Sequence, residues 1–249
     1  MSNAGTWLID LDGVVWLSGE EIKGSAAALD RLRNAGESLL FVTNNSAPTV
    51  EQLLQRLAGV GITATRNEVL TAAQAAASLI EPHGTAVCLA DGGVREALEE
   101  RSITVTTDPD ADAVIVGWTQ ALSYDTIATA ATAVRGGARF IGTNPDATHP
   151  TPRGLMPGTG AIIAAVEVAS GRSAEYAGKP NQPMAKMVLE RAAKISMVVG
   201  DQVVTDGAFA QLLGVPFTLV LSGVDRVAGP FTASADRLEI VVDRWLEAR

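Results

Sequence analysis

Short apolar runs alternate with longer amphipathic stretches along almost the whole chain. Runs rich in Val, Ile, Leu and Phe predict strands at 7–9, 38–42, 86–89, 113–116, 139–141, 195–199 and 217–221. Helical spacing of apolar residues predicts helices at 26–34, 49–57, 69–80, 94–100, 124–134, 159–169, 182–193 and 208–213. Because strands that alternate with helices pair in parallel through right-handed crossovers, we predict an α/β fold with a doubly wound, Rossmann-like parallel-sheet core.

Two stretches rich in glycine and polar residues interrupt the alternation, at 59–67 and at 178–180. Such stretches are typical of domain boundaries. We therefore predict a core domain in two parts, residues 1–66 and 178–249, with an α/β domain inserted between them at 67–177.

Composition narrows the function classes. The 249 residues carry a formal net charge of −9, which disfavours nucleic acid and anionic membranes as partners. The single cysteine, Cys88, excludes an internal disulfide and is predicted to be buried packing within an apolar stretch. No basic region precedes a long apolar run, and no apolar run approaches the roughly 20 residues of a membrane span. We expect a cytoplasmic protein.

A pair of carboxylates, Asp10 and Asp12, follows the first predicted strand. In extended backbone, side chains two residues apart point the same way, so two negative charges would share one small volume. A divalent cation removes that repulsion, and hard oxygen ligands suit Mg²⁺. Gly13 directly afterwards permits a sharp turn. An acidic turn at the end of a strand is the alternative interpretation.

A second polar cluster, Thr43, Asn44 and Asn45, follows the predicted strand at 38–42. A hydroxyl, side-chain amides and backbone N–H groups at a strand end can hold phosphate oxygens without adding charge. The same residues are also ordinary turn and helix-capping residues.

A third cluster, Asp201 and Asp206, follows the predicted strand at 195–199. Ligands of open α/β sheets bind beyond the carboxyl ends of the strands, so Asp201 could complete a Mg²⁺ site with Asp10. Asp206 could bind the metal through water, or it could only cap the next helix. Lys179, between a glycine and a proline, could bind phosphate as a point charge, or it could be a solvated surface lysine.

Taken in order, Asp10-Leu11-Asp12-Gly13-Val14, Thr43-Asn44-Asn45, Gly178-Lys179-Pro180 and Gly200-Asp201 with Thr205-Asp206 resemble the four motifs of the haloacid dehalogenase-like phosphohydrolases. The segments at 140–146 and 157–161 resemble the cap of the NagD-like branch, so the resemblance covers essentially the whole chain. Gln202, where a basic residue is expected, and Gly207, where an aliphatic one is usual, depart from the pattern.

The resemblance implies a phosphatase that acts on small phosphate monoesters of the sugar phosphate, glycerol phosphate, phosphoglycolate or p-nitrophenyl phosphate type. Asp10 would be the nucleophile that forms an aspartyl-phosphate, and Asp12 the general acid and base. The implied Mg²⁺ ligands are Asp10, Asp12, Asp201 and Asp206, and the implied substrate-binding residues are Thr43, Asn44, Asn45, Lys179 and, from the cap, His149. The partner is a small phosphorylated metabolite, and the physiological ester stays open.

Other classes of protein use parts of this pattern. A receiver-type signalling module also combines Asp, Thr, Lys and Mg²⁺, but it would be one small domain without an insertion. Gly158-Thr159-Gly160 suggests a dinucleotide site, yet Ile163 stands where a third glycine is required, so these glycines more simply open a helix. A catalytically silent phosphometabolite-binding protein of the same fold is the remaining alternative. The oligomeric state is open, with a homodimer through the cap as one option.

Overall fold

The computed structural model describes residues 4–17, 19–151, 154–229 and 232–249, without the side chains of 149–151. The chain divides into two compact units. Unit 1 comprises residues 1–43, 51–70 and 185–249, and unit 2 comprises residues 44–50 and 71–184. The domain boundaries inferred from the sequence, at 66 and 177, stay predictions.

The strands and helices alternate along the chain. In chain order the strands are β1 (Thr6–Ile9), β2 (Trp16–Leu17), β3 (Glu20–Glu21), β4 (Ser38–Thr43), β5 (Val69–Thr71), β6 (Thr85–Leu89), β7 (Thr104–Val105), β8 (Ala113–Val116), β9 (Arg139–Gly142), β10 (Thr148–Thr151), β11 (Gly154–Pro157), β12 (Glu175–Tyr176), β13 (Ile195–Gly200), β14 (Phe217–Val220) and β15 (Ser234–Ala235). The α-helices are α1 (Ser25–Asn34), α2 (Val50–Gly59), α3 (Ala72–Ala77), α4 (Gly92–Glu100), α5 (Tyr124–Gly136), α6 (Thr159–Ser170), α7 (Gln182–Arg191), α8 (Ala208–Leu213) and α9 (Leu238–Glu247). A 3₁₀ turn covers Arg66–Glu68, and a π-helical turn covers Val203–Gly207.

Unit 1 is built on a six-stranded sheet with the order β15-β14-β13-β1-β4-β5. The central strand β1 pairs in parallel with β4 on one side and β13 on the other, and β14 pairs in parallel with β13 and β15. Trp7, Leu8 and Ile9 of β1 are all buried, as expected for a central strand of a parallel sheet. Trp7 meets Trp245 of α9 edge to face, with ring centroids 5.2 Å apart.

Unit 2 contains a five-stranded sheet with the order β12-β9-β8-β6-β7, in which every pairing is parallel. Strand β8 and helices α5 and α6 contribute to one buried apolar cluster, in which Val114, Phe140 and Ile163 take part. Strands β10 and β11 form a separate antiparallel hairpin. The α/β fold class and its parallel sheets are therefore confirmed.

Most predicted elements exist close to their expected bounds, but residues 69–80 do not form one helix. Val69 and Leu70 are extended in β5, and helix α3 begins only at Ala72. Thr71 ends the strand and caps the helix, since its hydroxyl accepts a hydrogen bond from the Gln74 N–H at 3.2 Å. The sequence pattern did not separate the two elements, because a short buried strand and a mostly buried, alanine-rich helix both consist largely of apolar residues.

The sequence pattern did not predict helix α9 or the short strands β2, β3, β7, β10, β11, β12 and β15. It also ended α5 too early, because that helix continues to Gly136 and stops at Gly137, whose φ of 112° is left-handed. None of the helices in the described part of the chain combines the length and apolar character that crossing a bilayer demands.

Candidate active site

Three of the predicted site residues lie where neighbouring strands of unit 1 end. Asp10 follows β1, Thr43 is the last residue of β4, and Asp201 follows β13. Strand β1 lies between the other two, and the Asp10 N–H donates to the Val199 carbonyl at 3.0 Å. Since parallel strands end at the same edge of a sheet, these polar residues share the carboxyl edge of the unit 1 sheet.

Three carboxylates converge at this edge. Asp10, Asp201 and Asp206 each offer an oxygen within 4.8 Å of the other two, and Asp201 and Asp206 are only 2% and 1% exposed. Charges at this separation repel by about 3.5 kcal/mol per pair at an effective dielectric constant of 20. A Mg²⁺ ion with oxygens at about 2.1 Å places opposite ligands about 4.2 Å apart, so this group fits one divalent cation, which would offset the repulsion.

The π-helical turn after β13 delivers Asp206 to this group. The Asp206 carboxylate accepts a hydrogen bond from the Gln202 N–H at 3.2 Å, and the Asp206 N–H donates to the Gln202 carbonyl at 2.9 Å. Gly200 is required beneath it, because a Cβ at that position would lie 2.1 Å from Asp206 Cγ. Asp206 thus lies inside the turn and joins the carboxylate group, while helix α8 begins at Ala208 with Gly207 in its N-cap position, so the alternative that Asp206 only caps the next helix is wrong.

The structure places Asp12 differently from the sequence prediction, in which the side chains of Asp10 and Asp12 point the same way. Strand β1 ends at Ile9, so the alternation of an extended chain does not continue through Asp10 to Asp12. Asp12 is exposed and is not a member of the carboxylate group found among the described residues. Its Oδ1 accepts a hydrogen bond from the Trp16 indole Nε1–H at 3.0 Å. Its role as a metal ligand stays a prediction.

Gly13 does make the expected sharp turn. Its φ is +81°, in the left-handed region that favours glycine. A Cβ there would also lie 2.4 Å from Asp201 Oδ2, so no larger residue fits beside that carboxylate.

The remaining predicted phosphate-binding residues belong to unit 2. The Asn44 side-chain amide donates to the Lys179 carbonyl at 3.0 Å, and Asn144 donates to the Asn44 carbonyl at 2.7 Å. Lys179 is 3% exposed, so the alternative of a solvated surface lysine is wrong. Asn45 accepts from the Ala47 N–H at 3.2 Å, which is the local turn that its type favours.

The glycines at 158 and 160 have a packing explanation. A Cβ at Gly158 would lie 2.3 Å from the Asp146 carbonyl oxygen, and one at Gly160 would lie 2.3 Å from the Pro145 carbonyl oxygen. Helix α6 begins at Thr159 between them, as the sequence predicted. Close backbone approach therefore explains these glycines without a dinucleotide.

The backbone of His149 lies in β10, opposite Met156 of β11. Its side chain lies outside the described residues, so its contact with substrate stays a prediction.

Two residues that hydrogen-bond predicted site residues, Trp16 and Asn144, were not found from the sequence. Trp16 lies four residues after Asp12 and donates its indole N–H to the Asp12 carboxylate. An aromatic residue shortly after an acidic turn is too common to indicate such a contact. Asn144 anchors the segment of Asn44 although 100 residues separate them. Its only signal was its place in the segment 140–146 that resembles a cap motif.

Comparisons with known proteins agree with this arrangement. Residues 7–104 match the haloacid dehalogenase-like hydrolase family, and residues 176–248 match a HAD-hydrolase-like family. An acid sugar phosphatase of Staphylococcus haemolyticus is 39% identical over 230 residues, covering 90% of this chain and 88% of that protein.

Solved structures give the same result. A glycerol phosphate phosphatase of Mycobacterium tuberculosis, solved with magnesium, superposes with a TM-score of 0.86 at 30% identity, covering 94% of this chain and 75% of that one. The same enzyme has also been solved with calcium. A p-nitrophenyl phosphatase of Archaeoglobus fulgidus gives a TM-score of 0.88 at 28% identity, covering 97% of this chain and 99% of that one. The protein therefore belongs to the haloacid dehalogenase-like hydrolases, in their NagD-like branch.

Proposed function

We propose that this protein is a Mg²⁺-dependent phosphatase that hydrolyses small phosphate monoesters through an aspartyl-phosphate intermediate. The observation that carries the proposal is the group of three carboxylates, Asp10, Asp201 and Asp206, at the carboxyl edge of the unit 1 sheet. These residues would hold the cation. When bound, it supplies positive charge that stabilises the phosphoryl oxygens as negative charge builds up on them.

Asp10 is the proposed nucleophile. One of its carboxylate oxygens attacks phosphorus, a new O–P bond forms, and the bond between phosphorus and the ester oxygen breaks. The backbone holds Asp10 in place for this attack, because its N–H is fixed to Val199 of the neighbouring strand. Such alignment matters in phosphoryl transfer, where most of the catalysis is positioning and charge stabilisation.

Asp12 is the proposed general acid and base. In the first step it gives a proton to the departing alkoxide, and in the second it takes a proton from the water that attacks the aspartyl-phosphate and releases inorganic phosphate. The Trp16 indole N–H donates to Asp12 Oδ1 and so orients the Asp12 carboxyl for these transfers. The exposed position of Asp12, outside the group of Asp10, Asp201 and Asp206, suits this role, because Asp12 must exchange protons with a leaving group and with water.

The proposed phosphate-binding residues are Thr43, Asn44, Asn45 and Lys179, as the family resemblance implies. Lys179 would supply a positive charge and the others neutral donors. Discrimination among esters would come from cap residues that contact the alcohol, with His149 as the candidate. The names of the similar phosphatases support sugar phosphates, glycerol phosphate and p-nitrophenyl phosphate as the esters to test first.

The test is phosphate release from these esters with Mg²⁺ and with a chelator, for the wild type, Asp10→Asn and Asp30→Asn. Asp30 is an exposed residue of α1 and serves as the matched control. We expect Mg²⁺-dependent turnover that Asp10→Asn abolishes and Asp30→Asn preserves. Near wild-type turnover by Asp10→Asn would show that the nucleophile is assigned wrongly. A wild-type protein that binds phosphate esters but releases no phosphate would instead be the silent binding protein.

A further inference from the structure

A short segment after β14 contacts each of the three chain segments that carry the carboxylate group. It comprises residues Ser222 to Asp225, here named the anchor loop, and the proposed catalytic motifs do not include it. Its Val224 N–H donates to Asp201 Oδ2 at 2.7 Å, and its Asp225 N–H donates to the Asp201 carbonyl at 3.1 Å. The loop therefore holds both the side chain and the backbone of Asp201.

The anchor loop also packs tightly against the Asp201 side chain. A Cβ at Gly223 would lie 2.0 Å from Asp201 Oδ2 and 2.3 Å from Asp201 Cβ, and Gly13 approaches the same oxygen from another segment. A Cβ at Gly13 would lie 2.8 Å from the Gly223 Cα as well. The Asp201 carboxylate thus lies beside two glycines, and neither site can hold a larger residue unless the carboxylate moves.

Two side chains extend the contacts of the loop to the other segments. The Ser222 hydroxyl donates to the Gly13 carbonyl at 2.7 Å, in the turn that follows Asp10. Asp225 Oδ2 accepts a hydrogen bond from the Val203 N–H at 2.8 Å, at the first residue of the π-helical turn that contains Asp206. One loop therefore connects the segments of Asp10, Asp201 and Asp206.

We propose that the anchor loop positions the metal-binding carboxylates, and that Asp225 is a positioning residue for the cation without binding it. This inference rests on the proposed metal site. Because the Val224 N–H holds Oδ2, the Asp201 carboxylate has fewer orientations to lose when a cation binds. Asp225 acts indirectly. Its hydrogen bond with the Val203 N–H keeps the π-helical turn, which contains Asp206, against the anchor loop.

The expected effect follows from the usual behaviour of residues that orient metal ligands, whose loss costs about 10-fold to 100-fold in metal affinity. Asp225→Ala removes the acceptor for the Val203 N–H, so Mn²⁺ affinity should fall about tenfold. Asp225→Asn removes the same charge but keeps an acceptor oxygen, so its affinity should stay within about twofold of the wild type. Comparison of these two variants separates the hydrogen bond from the lost charge.

The glycine contact has its own variant and control. Gly223→Ala should weaken Mn²⁺ binding at least about tenfold, because Asp201 must move to admit the methyl group. Gly59→Ala adds the same methyl group at the end of α2, where no atom beyond the adjoining backbone lies within 4 Å, and Asp236→Ala removes an exposed carboxylate of unit 1. Both controls should bind Mn²⁺ as the wild type does.

The measurement is a titration of Mn²⁺ followed by the electron paramagnetic resonance signal of the free ion, which requires no turnover. Far-ultraviolet circular dichroism of the metal-free proteins checks that each variant is folded. A second readout is turnover of p-nitrophenyl phosphate against Mg²⁺ concentration: Asp225→Ala should raise the Mg²⁺ needed for half-maximal rate and leave the rate at saturating Mg²⁺ nearly unchanged.

Two results would overturn the proposal while the proposed function survives. One is wild-type Mn²⁺ affinity in both folded Asp225→Ala and folded Gly223→Ala. The other is an equal loss in Asp225→Asn and Asp225→Ala, which would assign the effect to charge alone. A wild-type protein that binds no Mn²⁺ would overturn both the metal site and this inference.

Discussion

The hydrogen bond between Trp16 and Asp12 gives a test of how the proposed general acid is held. Trp16→Phe keeps a buried aromatic ring and removes only the indole N–H with part of the ring. The lost bond is 3.0 Å long and is made to a carboxylate. Hydrogen bonds to charged groups contribute about 1.5 to 3 kcal/mol, and water partly replaces this one because Asp12 is exposed. A cost of about 1 kcal/mol in the transition state corresponds to about fivefold in kcat.

Trp7 offers a matched control for this experiment. Trp7 and Trp16 are 0% and 3% exposed and belong to the same unit. Within the described residues, however, the Trp7 Nε1–H has no hydrogen-bond partner, so Trp7→Phe removes an equal volume and breaks no hydrogen bond.

The assay is the steady-state turnover of p-nitrophenyl phosphate at saturating Mg²⁺, with thermal unfolding of each variant. We expect Trp16→Phe to lower kcat about fivefold with little change in KM, and Trp7→Phe to leave kcat unchanged. An equal fall in both variants would show that packing, and not the hydrogen bond, sets the rate. Wild-type kcat in Trp16→Phe would show that Asp12 needs no such support.

Three other features lead to measurable predictions. Glu37 is 4% exposed and accepts hydrogen bonds from a backbone N–H, a serine hydroxyl and an arginine, so Glu37→Ala should lower the free energy of unfolding in urea by about 2 to 4 kcal/mol. Asp243→Ala, which breaks an exposed ion pair, should cost less than about 1 kcal/mol, and equal losses would refute the estimate for Glu37. Cys88 is half-buried in β6, and its burial raises the pKa of the thiol to about 11. Iodoacetamide at pH 7.5 should therefore alkylate the native protein about a hundredfold more slowly than the unfolded protein, because less thiolate is present. Similar alkylation rates would contradict this. The N–H and hydroxyl of Thr85 hold the pKa of Asp112 below its ordinary value, so the stability that Asp112 contributes is present above pH 4 and is lost as the pH falls through its lowered pKa. The difference in Tm between wild type and Asp112→Asn should therefore shrink between pH 6 and pH 2, and a constant difference would refute this linkage.

Sequence periodicity predicted some elements to the residue and failed at others. Periodicity located the strand at 113–116 and the helix at 208–213 with the bounds that the structure has, because each is bordered by clear polar or glycine positions. It failed at 69–80, where capping by Thr71 separates a strand from a helix within one apolar run. The apolar stretch around Cys88 predicted a buried side chain, and the structure leaves it partly exposed.

At the candidate site, too, the sequence could place some residues and not others. Asp10, Thr43 and Asp201 could be placed at one sheet edge from sequence, since each follows a strong apolar strand. The exposure of Asp12 could not, because it depends on where β1 stops. The burial of Lys179 also departed from the usual behaviour of a lysine, which a sequence pattern cannot reveal.

The sequence by itself determined the α/β class, the strand ends that carry acidic and amide residues, and the family to which these motifs belong. These features are local, since they depend on side-chain periodicity and on neighbours a few positions apart. Only the tertiary structure decided that a π-helical turn carries Asp206 to Asp10 and Asp201, that Trp16 holds Asp12, and that the anchor loop connects the three carboxylate segments. Those contacts depend on strand order, turn geometry and hydrogen bonds, several of them between residues far apart in the chain, for which residue type at one position carries no signal.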